Sequence, residues 1–270
     1  FCYYVGPLFT RTVREDHNLA RAWNTYTECL THLVDAIVKA HPEFSFTFPP
    51  GLDDVRVLSW WNHDHPSAPG FAITPRYTAR IDLSQFADES ALSLGLNSDR
   101  RRRINRWAAK PPTEFTDVST ERLVELHDEA LRRSGGHITP DRHLALTRMA
   151  DLIRSGAGSI LGLAPAPDET VHAVILLLDG PDMSNNVFCA ASDAYRNSGL
   201  TSWAVWRALL RARTLGLRWF DMNGANSPRR ARDKHSYGAQ TALYFDGQFR
   251  RGKSAPAPRE GDRPSSDWAG

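Results

Sequence analysis

The spacing of apolar residues in the first part of the chain predicts one long helix and several strands. Between residues 17 and 40 the apolar side chains recur every three or four positions, which is the period of an amphipathic helix. The phenylalanines between residues 44 and 48 alternate with polar residues, which predicts a half-buried strand. Further strands are predicted over residues 1–9, 55–61 and 77–83.

The second half of the chain predicts two helices, three strands, and then helix, strand, helix and strand. Ser119 or Thr120 can cap the first of these helices, and Pro140 opens the second. The three strands are predicted over residues 159–164, 171–178 and 183–191. Turn residues link them, which favours antiparallel hairpins. The last elements are predicted over residues 201–216, 218–222, 230–237 and 241–245, with a turn at Asp246-Gly247 before a final short strand.

Residues 92–110 predict a helix with a strongly basic face. Ile104 and Trp107 form its apolar seam, and Ser98 or Asp99 can cap its start. Consecutive arginines lie near that start, at Arg100, Arg101, Arg102 and Arg103. One interpretation is a solvated basic face. The other is a binding site for the phosphate of a nucleotide, a coenzyme or RNA, because arginine forks bind phosphate in a bidentate way.

Composition narrows the class of protein without identifying it. A net charge of +2, with 41% hydrophobic and 24% charged residues, is ordinary for a globular protein and shows no overall basicity. No apolar run approaches the roughly 20 residues of a membrane span. Three widely spaced cysteines predict free thiols in a reducing compartment: Cys2, Cys29 and Cys189. Nothing at the start resembles a signal peptide, so we expect a cytoplasmic protein.

The histidines do not form a metal-binding motif in the sequence. His63 and His65 are two residues apart, but no third ligand follows at a suitable spacing. His127 lies on the apolar face of a predicted helix, where a packed and hydrogen-bonded histidine is the usual arrangement. We therefore predict no metal site.

Several short motifs carry the chemistry, and they occur in a fixed order over residues 77–238. They are Tyr77-Thr-Ala-Arg-Ile-Asp82-Leu83, Arg101-Arg-Arg-Ile104-Asn-Arg106, Arg196-Asn-Ser-Gly199-Leu-Thr201, Asp221-Met-Asn-Gly224 and Lys234-His-Ser-Tyr237-Gly238. Together with the order of elements, they resemble the GNAT acyltransferase fold. Within it they resemble the FemABX-like peptidyltransferases and their acetyltransferase-like relatives.

The resemblance implies an α+β GNAT fold with two GNAT-like domains in tandem. Because the chain begins within an apolar pattern, residues 1–83 would be a partial first domain. Residues 84–250 would form the second domain, with its donor and catalytic half over residues 159–250. Residues 251–270 are rich in Pro, Arg, Ser and Gly, which predicts a disordered tail.

The resemblance also implies which residues bind the donor. In the GNAT family the turn before the long helix holds the pyrophosphate of acetyl-coenzyme A. This assigns donor binding to Arg196, Asn197, Gly199 and Thr201, although Thr201 stands where the family has a small residue. The basic helix and the flanking motifs imply substrate-binding roles for further residues, namely Arg101, Arg102, Tyr77 and Asn223.

Three catalytic roles follow from the same resemblance. Asp221 ends the strand after the long helix, where it can orient or deprotonate an amine. Lys234 can stabilise the oxyanion or the donor's terminal phosphate, and the resemblance implies that it contacts the transferred aminoacyl end. Tyr237 can donate a proton to the leaving group.

We predict an acyltransferase that forms an amide on an amine acceptor, such as a peptidoglycan precursor or a small biosynthetic intermediate. Aminoacyl-tRNA is the donor that the FemABX resemblance implies, and acyl-CoA is the donor that the turn at Gly199 favours. A non-catalytic GNAT-like module that binds RNA or a partner is the third possibility. No tightly bound cofactor is expected. Arginines available for RNA phosphates lie at Arg207, Arg211, Arg213, Arg229, Arg230 and Arg232.

Overall fold

The computed structural model describes residues 17–52, 54–65, 68–167 and 169–251. The strand predicted over residues 1–9 and nearly all of the tail predicted over residues 251–270 lie outside these ranges. Within the part of the chain that the structure describes, no helix combines the length and the apolar character that a membrane crossing needs.

Helices and strands follow one another along the chain, and most of them lie where the apolar pattern predicts. The first half contains α1 (Leu19–Ala40), β1 (Glu43–Thr47), α2 (Arg56–Trp60), β2 (Phe71–Asp82), α3 (Glu89–Gly95), α4 (Ser98–Ala109) and β3 (Thr113–Phe115). The second half contains α5 (Thr120–Arg133), α6 (Pro140–Leu152), β4 (Gly158–Ala164), β5 (Ala173–Asp179), β6 (Met183–Ala191), α7 (Leu200–Thr214), β7 (Trp219–Gly224), α8 (Pro228–His235) and β8 (Gln240–Arg250).

The chain forms two compact units, each assembled from separated stretches. The first unit comprises Ala79–Asn223 and Arg229–Thr241. The second comprises the described residues up to Thr78, Gly224–Pro228 and the described residues from Ala242 onward. The division into domains over residues 1–83 and 84–250 stays a prediction, and the compact units follow different boundaries because β2 and β8 contribute to both.

The first unit contains a sheet in which β7, β6, β5, β4 and β3 are neighbours in that order. β3 pairs antiparallel with β4, and the antiparallel pairing of β4 with β5 and of β5 with β6 confirms the predicted hairpins. β6 and β7 pair parallel. On β5, Val174 and Leu176 pack into a core cluster with α5 and α6. Side chains alternate along a strand, so Ile175 and Leu177 point to the opposite face, where α7 packs. β5 is therefore buried on both faces.

The second unit is built around aromatic side chains. Its strands β1 and β8 pair antiparallel, with Phe46 opposite Gly247, and α1 contributes Leu30 and Val34 to the core. Phe249 lies at the centre of the ring cluster, with ring centroids 5.2 Å from Phe71 and about as far from its other neighbours. Aromatic pairs in such offset and edge-on arrangements add to the stabilisation from burial alone.

The predicted strand over residues 55–61 is wrong, because Arg56–Trp60 forms the short helix α2. Asp54 starts this turn, since its carboxylate accepts a hydrogen bond from the Arg56 backbone N–H at 3.2 Å. A short apolar run does not distinguish a strand from a buried turn of helix.

The predicted turn at Asp246-Gly247 is also wrong, because β8 runs through both residues. The Asp246 carboxylate accepts hydrogen bonds from Thr47 Oγ1 at 2.8 Å and Arg76 Nε at 2.9 Å, which holds it within the sheet. A Cβ on Gly247 would lie 2.8 Å from the Leu58 side chain, so the glycine makes room for packing.

The basic helix predicted within residues 92–110 is α4, and a separate short helix, α3, precedes it. α3 ends at Gly95 and α4 begins at Ser98. The cap of α4 is Asn97, not Ser98 or Asp99, since the Asn97 side chain accepts a hydrogen bond from the Arg100 N–H at 2.9 Å. The predicted caps at Ser119 for α5 and Thr139-Pro140 for α6 are confirmed.

Candidate active site

A gap opens in the sheet of the first unit where β6 and β7 stop pairing. Their parallel register ends at Asn185 opposite Asp221, although β6 continues to Ala191. Val187 is an extra residue in the register between β6 and β5, which makes a β-bulge at this point. Asn223 then reaches across, and its side-chain amide donates to the Asn186 carbonyl. Polar groups therefore line the start of the gap.

Asp221 fixes the end of β7 from inside the protein. Its side chain is 0% exposed, and Oδ1 accepts a hydrogen bond from the Asn223 N–H at 2.7 Å. Arg80 Nε lies 3.7 Å from the other carboxylate oxygen. Asn223 has a φ of 62°, an uncommon conformation that this hydrogen bond supports. Asp221 is thus placed to position its neighbours.

Lys234 projects from α8 onto the end of β7. Its ammonium donates to the carbonyl of Met222 at 2.5 Å and to the carbonyl of Asn223. Burial lowers the pKa of Lys234 to about 8, the nearby Asp221 carboxylate works in the opposite direction, and Arg230 adds to the lowering. A half-buried cation is therefore held beside the gap.

Tyr237 lies inside the protein beneath an arginine. It is 3% exposed, and the Arg100 guanidinium lies 4.6 Å from the centre of its ring. Burial raises the pKa of Tyr237, while the charge of Arg100 and a hydrogen bond with Ser202 act to lower it. The role of Tyr237 as a proton donor stays a prediction, and its position shows that it packs the first turns of α7 against α8.

The backbone conformation at position 238, which follows Tyr237, requires a glycine. Its φ is +78°, and a Cβ at this position would lie 2.7 Å from the Gly95 carbonyl oxygen. We expect Gly238→Ala to lower the free energy of unfolding by roughly 1–3 kcal/mol, because strain and a backbone clash coincide. Chemical denaturation measures this.

Gly180→Ala is the matched control for Gly238→Ala in the same unit. A Cβ there meets only Met183 O at the ordinary distance of 3.6 Å, without a left-handed φ. Equal stability of the two variants would contradict the role given to Gly238.

Arg100 is the arginine of the run that packs inward, and the substrate-binding roles of Arg101 and Arg102 stay predictions. Arg100 Nε donates to Ser236 Oγ at 2.7 Å, Nη1 donates to Ser202 Oγ at 2.9 Å, and Nη2 pairs with Asp233. It therefore ties α4 to α7 and α8. Arg101 is half-buried and Arg102 is exposed.

The spacing of residues along α4 could have indicated which arginine packs inward. Arg100 lies four and seven residues before Ile104 and Trp107, which places the three side chains on one face of α4. The apolar seam thus indicates which arginine points inward.

Helix α4 packs against the turn before α7 at Ser198 and Gly199. Gly199 is the N-terminal cap of α7 with a φ of +85°, and a Cβ there would lie 3.0 Å from Arg103 Cβ. Trp107 Nε1 donates to the Ser198 carbonyl at 3.1 Å. Arg196 and Asn197 are exposed on the same turn, and Thr201 is half-buried in the first turn of the helix.

Tyr77 belongs to the second compact unit, unlike the other predicted site residues. It is 46% exposed. Its backbone N–H donates to Asn226 Oδ1, and its carbonyl accepts from the Ala225 N–H, both at 2.7 Å. Asn223, by contrast, is 4% exposed in the first unit.

The arginines predicted to contact RNA divide into two groups. On α7, Arg207 pairs with Glu114 at 2.6 Å, Arg211 pairs with Asp179 at 2.7 Å, and Arg213 donates to the Phe86 carbonyl. These arginines also line a groove of about 500 Å³ that none of the candidate catalytic residues lines. The second group is exposed on α8 and consists of Arg229, Arg230 and Arg232.

Comparison with known families identifies the fold that this geometry belongs to. A family model described as an acetyltransferase (GNAT) domain matches residues 98–234, which is just over half of the 270 residues. The chain belongs to the GNAT acetyltransferase family. This GNAT protein is therefore an acyltransferase, and the predicted α+β GNAT fold is confirmed. Its family implies an acyl-CoA or similar co-substrate. No curated protein matches the chain.

Solved structures with similar folds include FemX, with a TM-score of 0.60, 12% identity, and coverage of 81% of this chain and 76% of that chain. Another is the C-terminal domain of a putative lysylphosphatidylglycerol synthetase from Agrobacterium fabrum, with a TM-score of 0.52, 13% identity, and coverage of 85% and 74%. A tandem GNAT protein from the clavulanic acid biosynthesis pathway has a TM-score of 0.50, 9% identity, and coverage of 89% and 73%. The TM-scores support the fold, and at these low identities the similarity shows the fold alone.

Proposed function

We propose that this GNAT protein transfers an aminoacyl group from aminoacyl-tRNA to an amine acceptor in the cytoplasm. The observation that carries the proposal is the packing of α4 over the turn before α7. Arg103 lies against Gly199, and Trp107 holds the Ser198 carbonyl. An acyl-CoA donor would need this turn to bind its pyrophosphate. Because α4 packs against the turn, a donor that does not use the turn, such as aminoacyl-tRNA, is favoured.

Exposed arginines on α4 and α8 supply the charge that a tRNA needs. Among the described residues, none of them has an acidic partner within ion-pair distance, in contrast to Arg207 and Arg211 on α7. They are Arg102 and Arg106 on α4, and Arg229, Arg230 and Arg232 on α8. Arginine contacts with phosphates supply most of the sequence-independent affinity for nucleic acids.

The chemistry is an aminolysis of the aminoacyl ester. The acceptor nitrogen attacks the carbonyl carbon, a C–N bond forms, and the C–O bond to the terminal ribose of the tRNA breaks. The proton that the amine loses ends on the released ribose oxygen. In the proposal, Lys234 stabilises the oxyanion beside the gap. Asp221 positions Lys234 and the turn at Asn223 from its buried site. The similarity to FemX and to a putative lysylphosphatidylglycerol synthetase domain agrees with this reaction.

Salt dependence tests the tRNA donor directly. If several phosphates are contacted, the affinity for tRNA falls with salt, and each contact contributes roughly 0.7–0.9 to the slope of log K against log salt. We expect Arg102→Ala to reduce the slope by about one contact, while Arg207→Ala, whose guanidinium pairs with Glu114, leaves it unchanged. Filter binding over a range of salt concentrations measures this. A flat response of the wild type would overturn the tRNA donor.

Acyl-CoA is the second candidate donor, and one observation favours it. Gly199 adopts a left-handed conformation at the start of α7, and Arg196 and Asn197 remain exposed on that turn. The N-terminus of a helix is a common site for phosphate. Two results together would favour this donor. Acetyl-CoA would bind saturably to the wild type and not to Arg196→Ala, and tRNA binding would be insensitive to salt. A module that binds tRNA but discharges none of it would support the non-catalytic alternative.

The pH dependence of transfer should report the protonation of Lys234. Because the pKa of Lys234 is lowered to about 8, the ammonium is present below this pH and is lost above it. We expect kcat/KM to fall as the pH rises through about 8, well before the ordinary range of a lysine near 10.4. Initial rates between pH 6 and about 10 measure this. A rate that stays constant to pH 10 would show that the charge of Lys234 is not needed.

A further inference from the structure

Helices α5 and α6 of the first unit bring together three side chains of the types that bind metals. They are His127 and Asp128 on α5 and His143 on α6. One potential ligand atom from each, two imidazole nitrogens and a carboxylate oxygen, lies within 4.8 Å of the other two. The third ligand lies on a different helix, so the cluster forms no metal-binding motif in the sequence. The prediction of no metal site considered only such motifs.

The spacing of the donor atoms fits one small ion. Asp128 Oδ1 lies 3.0 Å from His127 Nδ1 and 2.8 Å from His143 Nε2. Asp128 Oδ2 also lies 3.0 Å from His143 Nε2. Zinc bonds of about 2.0–2.2 Å to nitrogen and oxygen in a tetrahedron separate the donors by roughly 3–3.5 Å. An ion can therefore replace these hydrogen bonds with small side-chain movements.

The surroundings hold the ligands and leave the site open on one side. The His127 side chain is buried, and its ring packs 5.8 Å from the ring of Phe188. The His143 side chain is 34% exposed, which gives an ion access and leaves room for water as a further ligand.

We propose that His127, Asp128 and His143 bind one transition-metal ion, with Zn²⁺ as the best fit. Two imidazoles and one carboxylate suit Zn²⁺, Co²⁺ or Ni²⁺, whereas Mg²⁺ and Ca²⁺ prefer sites built entirely from oxygen. The ion links α5 to α6 and takes no part in the proposed acyl transfer. Since it binds only the folded helix pair, it stabilises the protein by mass action.

The test uses tag-free protein that has been stripped with a chelator and titrated with Co²⁺. We expect one Co²⁺ per chain with the visible absorption of a tetrahedral or five-coordinate site, displaced by one equivalent of Zn²⁺. His143→Gln and Asp128→Asn should each weaken binding by more than about 10-fold, since even outer partners of metal ligands contribute 10–100-fold. Zn²⁺ should raise the Tm of the wild type and leave that of both variants unchanged.

The double variant His63→Gln/His65→Gln is the matched control, because it removes a pair of histidines outside the cluster. It should bind Co²⁺ as the wild type does. The proposal is overturned if the wild type binds no Co²⁺, if both cluster variants retain its affinity, or if the control abolishes binding. Two cluster variants are included so that a folding defect in one leaves the other to decide.

Discussion

Replacing Lys234 with alanine should lower the rate of aminoacyl transfer by about 10²–10³-fold while tRNA binding changes little. This is the typical loss when one preorganised group that stabilises an oxyanion is removed. The reason lies in the position of Lys234, whose ammonium is anchored to the Met222 and Asn223 carbonyls at the end of β7. Removing it takes the positive charge away from the gap between β6 and β7. Single-turnover discharge of aminoacyl-tRNA in the presence of an amine measures the effect.

Lys39→Ala is the control for Lys234→Ala, because Lys39 is an exposed lysine in the last turn of α1. It should leave both transfer and tRNA binding unchanged. A Lys234→Ala protein that transfers at the wild-type rate would remove Lys234 from the mechanism. Loss of tRNA binding with unchanged chemistry on bound tRNA would instead assign Lys234 to donor binding.

Replacing Asp221 with alanine should lower the free energy of unfolding by about 3–5 kcal/mol. This is the usual loss when one member of a buried charged group is removed and the others are left without compensation. Asp221 is 0% exposed, lies 3.7 Å from Arg80 Nε, and accepts the Asn223 N–H. Its charge also opposes the lowering of the Lys234 pKa, so the fall of kcat/KM with pH should move to lower pH in this variant. Chemical denaturation and pH profiles measure the two effects.

One further variant separates the charge of Asp221 from its hydrogen bond, and a second serves as an exposed control. Asp221→Asn keeps an acceptor for the Asn223 N–H and should lose less stability than Asp221→Ala. Asp193→Ala removes a carboxylate that is 61% exposed and paired with Arg133, and should cost only about 0–1 kcal/mol. A stability of Asp221→Ala equal to that of Asp193→Ala would contradict the structural role of the buried group.

Local patterns in the sequence predict those parts of the fold that depend on neighbouring residues. The three- and four-residue spacing in α1, the alternation in β1 and the turn residues between β4, β5 and β6 all correspond to observed elements. The strand prediction over residues 55–61 was wrong because an apolar run of this length fits either a strand or a helix. The turn prediction at Asp246-Gly247 was wrong because these residues pair with Thr47 and Phe46, about two hundred residues earlier in the chain. This strand pairing overrides the local turn preference.

The candidate site was predictable in part for the same reason. The roles of Asp221, Lys234 and Tyr237 stay predictions. The structure brings the charge of Asp221 on β7 close to Lys234 on α8, and each of the two residues lies within a short motif. The choice between Arg100 and its neighbours depends on which face of α4 packs inward, and a run of four arginines hides this. The cluster of His127, Asp128 and His143 depends on the pairing of two helices, which no local pattern in the sequence contains.

The most direct test of the account follows the label in aminoacyl-tRNA. Bulk tRNA charged with mixed labelled amino acids is incubated with the protein and a heat-treated cell extract as the source of amine acceptors. We predict that label moves from the ester into an alkali-stable amide, that prior treatment with RNase abolishes this transfer, and that Lys234→Ala lowers its rate by about 10²–10³-fold. Amide formation that survives RNase and requires acyl-CoA, with the aminoacyl-tRNA left intact, would contradict the proposed donor.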